Sequence, residues 1–139
     1  MWDIITSSLP QILAAGIKFT IPLALISFAI GLALALVTAL VRISHRVGAF
    51  SIIKGIFRFY VWLFRSTPLL VQLFIVYFGL PYLRIPGVLE NGIKFSPFIA
   101  GIITFSLNTG AYASETIRAS ISSVPNGQWE AASSIGMTR

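Results

Sequence analysis

Three long stretches of this chain contain no charged residue, and they restrict the folds that it can adopt. They cover residues 19–41, 66–83 and 95–114, which are 23, 18 and 20 residues long. A helix of about 20 apolar residues crosses the roughly 30 Å of hydrocarbon in a lipid bilayer. Charged residues make up 10% of the whole chain, against about 25% in soluble domains. The sequence therefore predicts an all-α integral membrane protein.

The three spans are predicted near residues 10–41, 60–82 and 96–116, within a single transmembrane domain. The first run is longer than the apolar core of a signal peptide, about 7–15 residues, and no basic segment precedes it. Pro10, Pro22 and Pro68 lie in these spans. Because proline lacks a backbone N–H, they predict kinks or breaks whose freed carbonyls must find other partners.

Basic residues between the first two spans indicate the orientation. Four of them occur there with no acidic residue among them: Arg42, Arg46, Lys54 and Arg58. Such a cluster is typical of a cytoplasmic loop. The N-terminus and residues 83–95 are then outside, and the tail from about Arg118 is inside. The net charge of +6 is thereby explained by membrane topology, so lipid is an expected partner and nucleic acid is not.

The composition also excludes several kinds of chemistry. The chain has no cysteine and one histidine, His45, which excludes disulfides and thiolate ligands and argues against a metal cluster. No G-x-x-x-x-G-K-[ST] loop for nucleotide binding occurs. We therefore expect no covalent catalysis and no cofactor in this chain.

Small residues recur along the first span. Gly31, Ala35 and Ala39 are spaced by four, which lets two helix backbones approach closely. Alanine and glycine are also common in membrane helices generally, so this pattern leaves both interpretations open.

The second span opens with RSTPLLVQLF, residues 65–74. Arg65 and Gln72 are seven residues apart and share a helix face. Arg65 either extends to the headgroups or lines a pathway. Gln72 lies deeper, where an amide needs a partner, and it either joins helices or lines a pathway. Pro68 is expected to free a carbonyl near residue 64.

A polar stripe runs along the third span: Thr104, Asn108, Tyr112, Glu115 and Ser122. Such a face avoids lipid and turns to other helices or to a water-filled cavity. Glu115 can pair with Arg118 at i,i+3. The pair is either a structural clamp or part of a route for a polar solute, and the route accounts for the whole stripe.

The closing segment predicts a short cytoplasmic helix within about residues 126–137. The turn formers SVPNGQ precede it, with Gly127 as the expected N-cap, and Gly136 is expected to end it. Trp129 and Ile135 offer apolar contacts beside small alanines. The helix suits either a groove in a partner protein or the lipid surface.

Three blocks of sequence resemble a known family. Glu130-Ala131-Ala132, followed after three residues by Gly136, resembles the EAA loop of ABC importer permeases. RSTPLLVQLF and the stretch 108–139 resemble the permeases of polar amino acid importers, the histidine, glutamine and arginine type. The resemblance covers about the last 80 residues.

The resemblance implies a dimeric, five-helix permease in a bacterial inner membrane, with the N-terminus outside. Its EAA loop would dock a cytoplasmic ATPase dimer, which binds ATP and Mg, through these residues: Trp129, Glu130, Ala131, Ala132 and Gly136. A second permease subunit, identical or paralogous, and a periplasmic amino-acid-binding protein would complete the assembly. The family pattern continues past the glycine to an Ile-x-Leu-Pro and two more helices. We therefore expect this sequence to be a fragment or a truncated product.

The function predicted from these features is that of a permease subunit in an ATP-driven importer of polar amino acids. The predicted pathway residues are Arg65, Gln72, Asn108, Tyr112 and Glu115. A small ion channel or ion-coupled carrier is one alternative, and it predicts solute flux without an ATPase. A non-transporting remnant that binds partner subunits is another, and it predicts binding without uptake.

Overall fold

The structure is a computed structural model that describes residues 2–44, 48, 50–83 and 92–137. His45, Arg46 and most of the predicted outer connection, residues 84–91, lie outside the described residues. All regular structure within these ranges is helical. The α-helices are α1 (Trp2–Ala15), α2 (Ile21–Ile43), α3 (Phe50–Ser66), α4 (Leu69–Phe74), α5 (Pro97–Ser122) and α6 (Asn126–Ser134). A π-helical turn, Gly16–Thr20, joins α1 to α2, and π-helical Ile75–Gly79 and 3-10 helical Leu80–Tyr82 extend α4.

The first predicted span forms one long helix, whose segment Thr6–Ile43 has 38 residues. Pro22 lies in the first turn of α2, directly after the π turn in which the Ile21 N–H bonds the Gly16 carbonyl. That wider turn precedes a residue that has no N–H of its own, so the helix continues past the proline. By length and composition, this is the one described helix apolar enough by itself to cross a membrane. α5 does not meet the same test, because polar side chains are spread along it.

The second predicted span has different bounds from those expected. It was placed near residues 60–82, but α3 already begins at Phe50, and the chain bends by 109° between α3 and the segment Leu69–Tyr82. Counted as one broken span, this pair raises the number of membrane-crossing candidates to two. The bend occurs at Pro68, which has extended backbone (φ −62°, ψ 138°) and cannot continue the hydrogen-bond ladder of α3. A proline break was expected, but its angle was not.

α2 and α5 form the core of the described structure and run in parallel. Leu23 lies beside Gly101, Gly31 beside Ser106 and Thr109, and Leu34 beside Gly110. The residues buried between the helices are small or short and polar: Ser27, Gly31, Ala35, Thr38, Ala39, Ala100, Gly101, Thr104, Ser106, Gly110, Ala111 and Ser114. Of the two interpretations that the spacing of Gly31, Ala35 and Ala39 left open, the structure supports a close helix contact. Large apolar side chains point outward instead, which suits a lipid environment.

α6 begins at the first residue of its predicted range and is ended by Gly136 as predicted, but its N-cap differs from the predicted one. Its N-cap is Pro125, not Gly127, so the helix starts at Asn126. Proline at that position has no N–H to leave unsatisfied, and its fixed φ leads into the helix. At the other end Gly136 has φ +82°. The Gly136 N–H bonds the Ser133 carbonyl and the Met137 N–H bonds the Ala132 carbonyl, both at 3.1 Å. This is the Schellman arrangement, in which glycine ends a helix.

Candidate functional site

The break at Pro68 is closed by one side chain. Pro68 cannot donate to the Phe64 carbonyl four residues before it, and the Gln72 Nε2 donates to that oxygen instead, at 2.8 Å. The same nitrogen lies 3.0 Å from the Thr67 carbonyl and 2.8 Å from Thr67 Oγ1. Thr67 Oγ1 in turn donates to the Leu63 carbonyl at 2.8 Å. The freed carbonyl predicted near residue 64 is thus satisfied from beyond the bend.

Gln72 also connects the bend to α5. Its Oε1 accepts from Asn108 Nδ2 at 3.1 Å, and the residue is 6% exposed. Every polar atom of this amide therefore has a partner, as burial requires. Of the two roles considered for Gln72, this geometry supports the joining of helices. Contact of Gln72 or Asn108 with a transported solute stays a prediction.

Glu115 lies between two arginines from different helices. Arg118, one turn further along α5, donates from Nε to Glu115 Oε1 at 2.9 Å and also pairs through Nη2. Arg42, at the end of α2, donates from Nη1 to Oε2 at 2.6 Å. The side chains are partly buried, with Glu115 22% and Arg42 15% exposed. The i,i+3 pair was expected from spacing, whereas Arg42 is 73 residues away and was read only as a topology signal.

Two tyrosines hold α3 against α5, and one of them had no signal in the sequence. Tyr60 donates its hydroxyl to the Leu107 carbonyl at 2.6 Å and lies directly over Gly110. A Cβ at Gly110 would come within 2.7 Å of that hydroxyl, so glycine makes room for the contact. The Tyr112 hydroxyl donates to the Arg65 carbonyl at 3.4 Å. The Arg65 guanidinium lies 5.6 Å from the centre of the Tyr112 ring.

These contacts surround an open cleft of about 470 Å³. Its lining residues are Arg42, Arg58, Val61, Trp62, Arg65, Ser66, Tyr112 and Glu115. The structure thus brings the predicted residues Arg65, Tyr112 and Glu115 together around one opening, while the bonded pair of Gln72 and Asn108 does not line it. Three guanidiniums and one carboxylate can bind a charged polar solute. Within the described ranges, no group of three or more metal-ligating side chains occurs.

The predicted docking residues lie on and beside α6. Trp129, Glu130, Ala131 and Gly136 are exposed, and Ala132 is partly buried. Apolar side chains at the end of the helix are open, with Ile135 77% and Met137 63% exposed. A second cleft, of about 620 Å³, lies between Trp129 and the clamp residues Arg42 and Arg118. A contact made on α6 would therefore lie close to the Glu115 clamp.

Comparison with known proteins assigns most of the chain to one group. The family described as "Binding-protein-dependent transport system inner membrane component" matches residues 31–139. The L-cystine transport system permease protein TcyB of Bacillus subtilis (strain 168) is 48% identical over 137 residues. The nopaline transport system permease protein NocM of Agrobacterium fabrum (strain C58 / ATCC 33970) is 43% identical over 140 residues. These alignments cover 99% and 98% of this chain.

A solved structure is also similar. The chain matches a "Crystal structure of an amino acid ABC transporter with histidines" with a TM-score of 0.74 and 34% identity over 95% of its own length. It covers 57% of the chain in that structure, 53% of the cystine permease and 55% of the nopaline permease. This chain thus spans about half the length of the curated relatives that it matches.

Proposed function

This chain belongs to the family of binding-protein-dependent transport system inner membrane components, and on that premise we propose that it acts in an ATP-driven importer of polar amino acids. In this role it is a permease subunit that forms part of the translocation pathway and docks a separate ATPase. Relatives named for cystine, glutamine and nopaline transport support this substrate class. ATP and Mg would be bound by the ATPase. This chain would hold the solute and change conformation.

The observation that carries the proposal is α6. It is a short helix beyond the end of α5 that ends in a Schellman turn, and its apolar residues are open. A short exposed helix of this kind fits a groove on a partner protein. The docking surface consists of Trp129, Glu130, Ala131, Ala132 and Gly136. Its partner is the cytoplasmic ATPase dimer, which places α6 and the end of α5 on the cytoplasmic side and the N-terminus outside.

Motion at α6 has a direct route to the spans. Residues 123–125 join α6 to α5, and the Ser123 N–H still bonds the Ala119 carbonyl at 2.9 Å. The Glu115 clamp ties α5 to α2, and the bond between Asn108 and Gln72 ties α5 to α4. When the ATPase pair closes and shifts α6, these ties make α2, α4 and α5 move together. Such rigid-body rocking would alternate access to the pathway.

The pathway proposal concerns the cleft side of α5. Arg65, Tyr112 and Glu115 would meet the charged ends of an amino acid, while Gln72 and Asn108 hold the bend behind them. A second permease subunit would supply the facing half, and a periplasmic binding protein would deliver substrate. Family membership and the polar stripe along α5 support this arrangement.

The test compares two matched truncations on α6 in the assembled transporter. Glu130→Ala should reduce co-purification of the ATPase and ATP-dependent amino acid uptake in proteoliposomes. Gln128→Ala, on another face of the same exposed helix, should change neither. Both residues are exposed, so the yield and thermal stability of the variants should match those of the parent. Intact docking and uptake in Glu130→Ala, or solute flux with no ATPase present, would contradict the proposal.

A further inference from the structure

α3 carries two separate rows of side chains. Two of its basic residues, Lys54 and Arg58, are four residues apart and form one row. A second row consists of Ile52, Ile56, Phe59 and Leu63, which are 71%, 62%, 60% and 38% exposed. At about 3.6 residues per turn, the two rows lie about 150° apart around the helix. α3 is therefore amphipathic.

The remaining sides of α3 also have distinct surroundings. The side that contacts the rest of the chain holds Tyr60, bonded to the Leu107 carbonyl, and Val61, which is 4% exposed. Trp62 lies on the opposite flank and is 62% exposed. Around the helix, the order is basic row, protein contact, apolar row and exposed tryptophan. A helix lying at a membrane interface beside a protein needs this order, because headgroups lie above it and acyl chains below.

The 109° bend sets α3 nearly perpendicular to the segment that follows it. That segment contacts α5, since Gln72 bonds Asn108 and the π turn after α4 also contacts α5. If the segment crosses the membrane beside α5, α3 lies close to the membrane plane. It starts a few residues after Arg42, the cytoplasmic end of α2. The placement of that end inside rests on the proposed function.

The charge of α3 favours an anionic surface. The sequence of α3 contains no Asp or Glu. Arg58 and Arg65 line the open cleft together with Trp62. Basic side chains beside an exposed tryptophan at the cytoplasmic interface are typical of contact with anionic headgroups.

We propose that α3 is an in-plane interfacial helix whose basic row, Lys54 and Arg58, binds the phosphates of anionic phospholipids in the inner leaflet. The apolar row enters the acyl chains below. Residues 60–66, expected in the second span, belong to this helix, and the membrane crossing starts after Pro68. Anionic lipid then holds the bend in place from outside, as Gln72 does from inside.

The first measurement is lipid selectivity of the purified chain, by native mass spectrometry in equal amounts of phosphatidylglycerol and phosphatidylcholine. The parent should retain more phosphatidylglycerol. Lys54→Gln/Arg58→Gln should lower the retained ratio by about fivefold for each charge removed. Lys18→Gln/Lys94→Gln removes the same charge from the predicted outer side and should leave most of the preference in place. An unchanged ratio in the first pair, or an equal loss in both, overturns the proposal. So does displacement of the lipid by millimolar inorganic phosphate.

A second measurement remains informative if the charge variants fold poorly. The chain has no cysteine, so single spin labels can be placed at Ser51→Cys, near the basic row, and at Ile56→Cys, in the apolar row. In bilayers the label at 56 should collide with oxygen and the label at 51 with a water-soluble nickel chelate. If both labels behave alike, α3 does not lie in the plane. If label 56 is shielded from both probes in the assembled transporter, a partner protein covers the row. Either result overturns the proposal, whatever the outcome of the Glu130→Ala test.

Discussion

Replacing Gln72 with leucine removes the side chain that holds both sides of the bend at Pro68. The variant leaves the Phe64 carbonyl and the Asn108 amide without their partners. A buried polar group that loses its partner destabilises a fold by about 1–3 kcal/mol. Side-chain hydrogen bonds between membrane helices average about 0.6 kcal/mol and reach about 1.7. If the Phe64 carbonyl and the Asn108 amide each cost about 1 kcal/mol, the lower end of the range, the free energy of unfolding falls by about 2 kcal/mol. That is a change of about 30-fold in the unfolding equilibrium.

The assay is reversible unfolding in mixed micelles, followed by far-UV circular dichroism as the denaturing detergent increases. Gln128→Leu is the matched control, because it makes the same exchange at an exposed position and should stay within about 0.5 kcal/mol. Asn108→Leu and the double variant Gln72→Leu/Asn108→Leu complete a double-mutant cycle. The double variant should lose less than the sum of the two single changes, since both remove the same hydrogen bond. A Gln72→Leu variant as stable as the control, or strictly additive losses, would refute this account of the bend.

Two further predictions compare glycines in different settings. Gly31→Ala should lower stability by about 1–3 kcal/mol, because its Cβ would lie 2.7 Å from the Thr109 Cβ, whereas Gly55→Ala has no neighbour within 4 Å and should be neutral or slightly stabilising. Equal unfolding curves for the two would mean that α2 and α5 do not approach as described. Gly136→Ala should strain the end of α6 by about 1 kcal/mol, since φ there is +82°, and should weaken ATPase co-purification. Gly127→Ala, in open space within the same helix, should not weaken ATPase co-purification. Equal ATPase binding by the two variants would mean that docking does not depend on the capped end of α6.

The sequence by itself determined the features that depend on neighbours along the chain. Uncharged runs predicted the helical membrane class, and the spacing of Gly31, Ala35 and Ala39 was compatible with a close helix contact. Proline chemistry predicted a break at Pro68, and Gly136 predicted the end of α6. Each signal depends on residues that are near one another along the chain, so its meaning does not depend on where the rest of the chain lies.

Tertiary structure decided which distant groups meet. Nothing in the spacing of Gln72 distinguished a pathway role from a joining role, and the bond to Asn108 settled how its amide is satisfied. Arg42 entered the clamp because the parallel packing of α2 and α5 brings residue 42 to residue 115. The 109° bend likewise depends on contacts with α5, since a proline removes a hydrogen bond without choosing the angle that follows. Small residues allowed the helices to approach, and only that approach decided which polar side chains became partners.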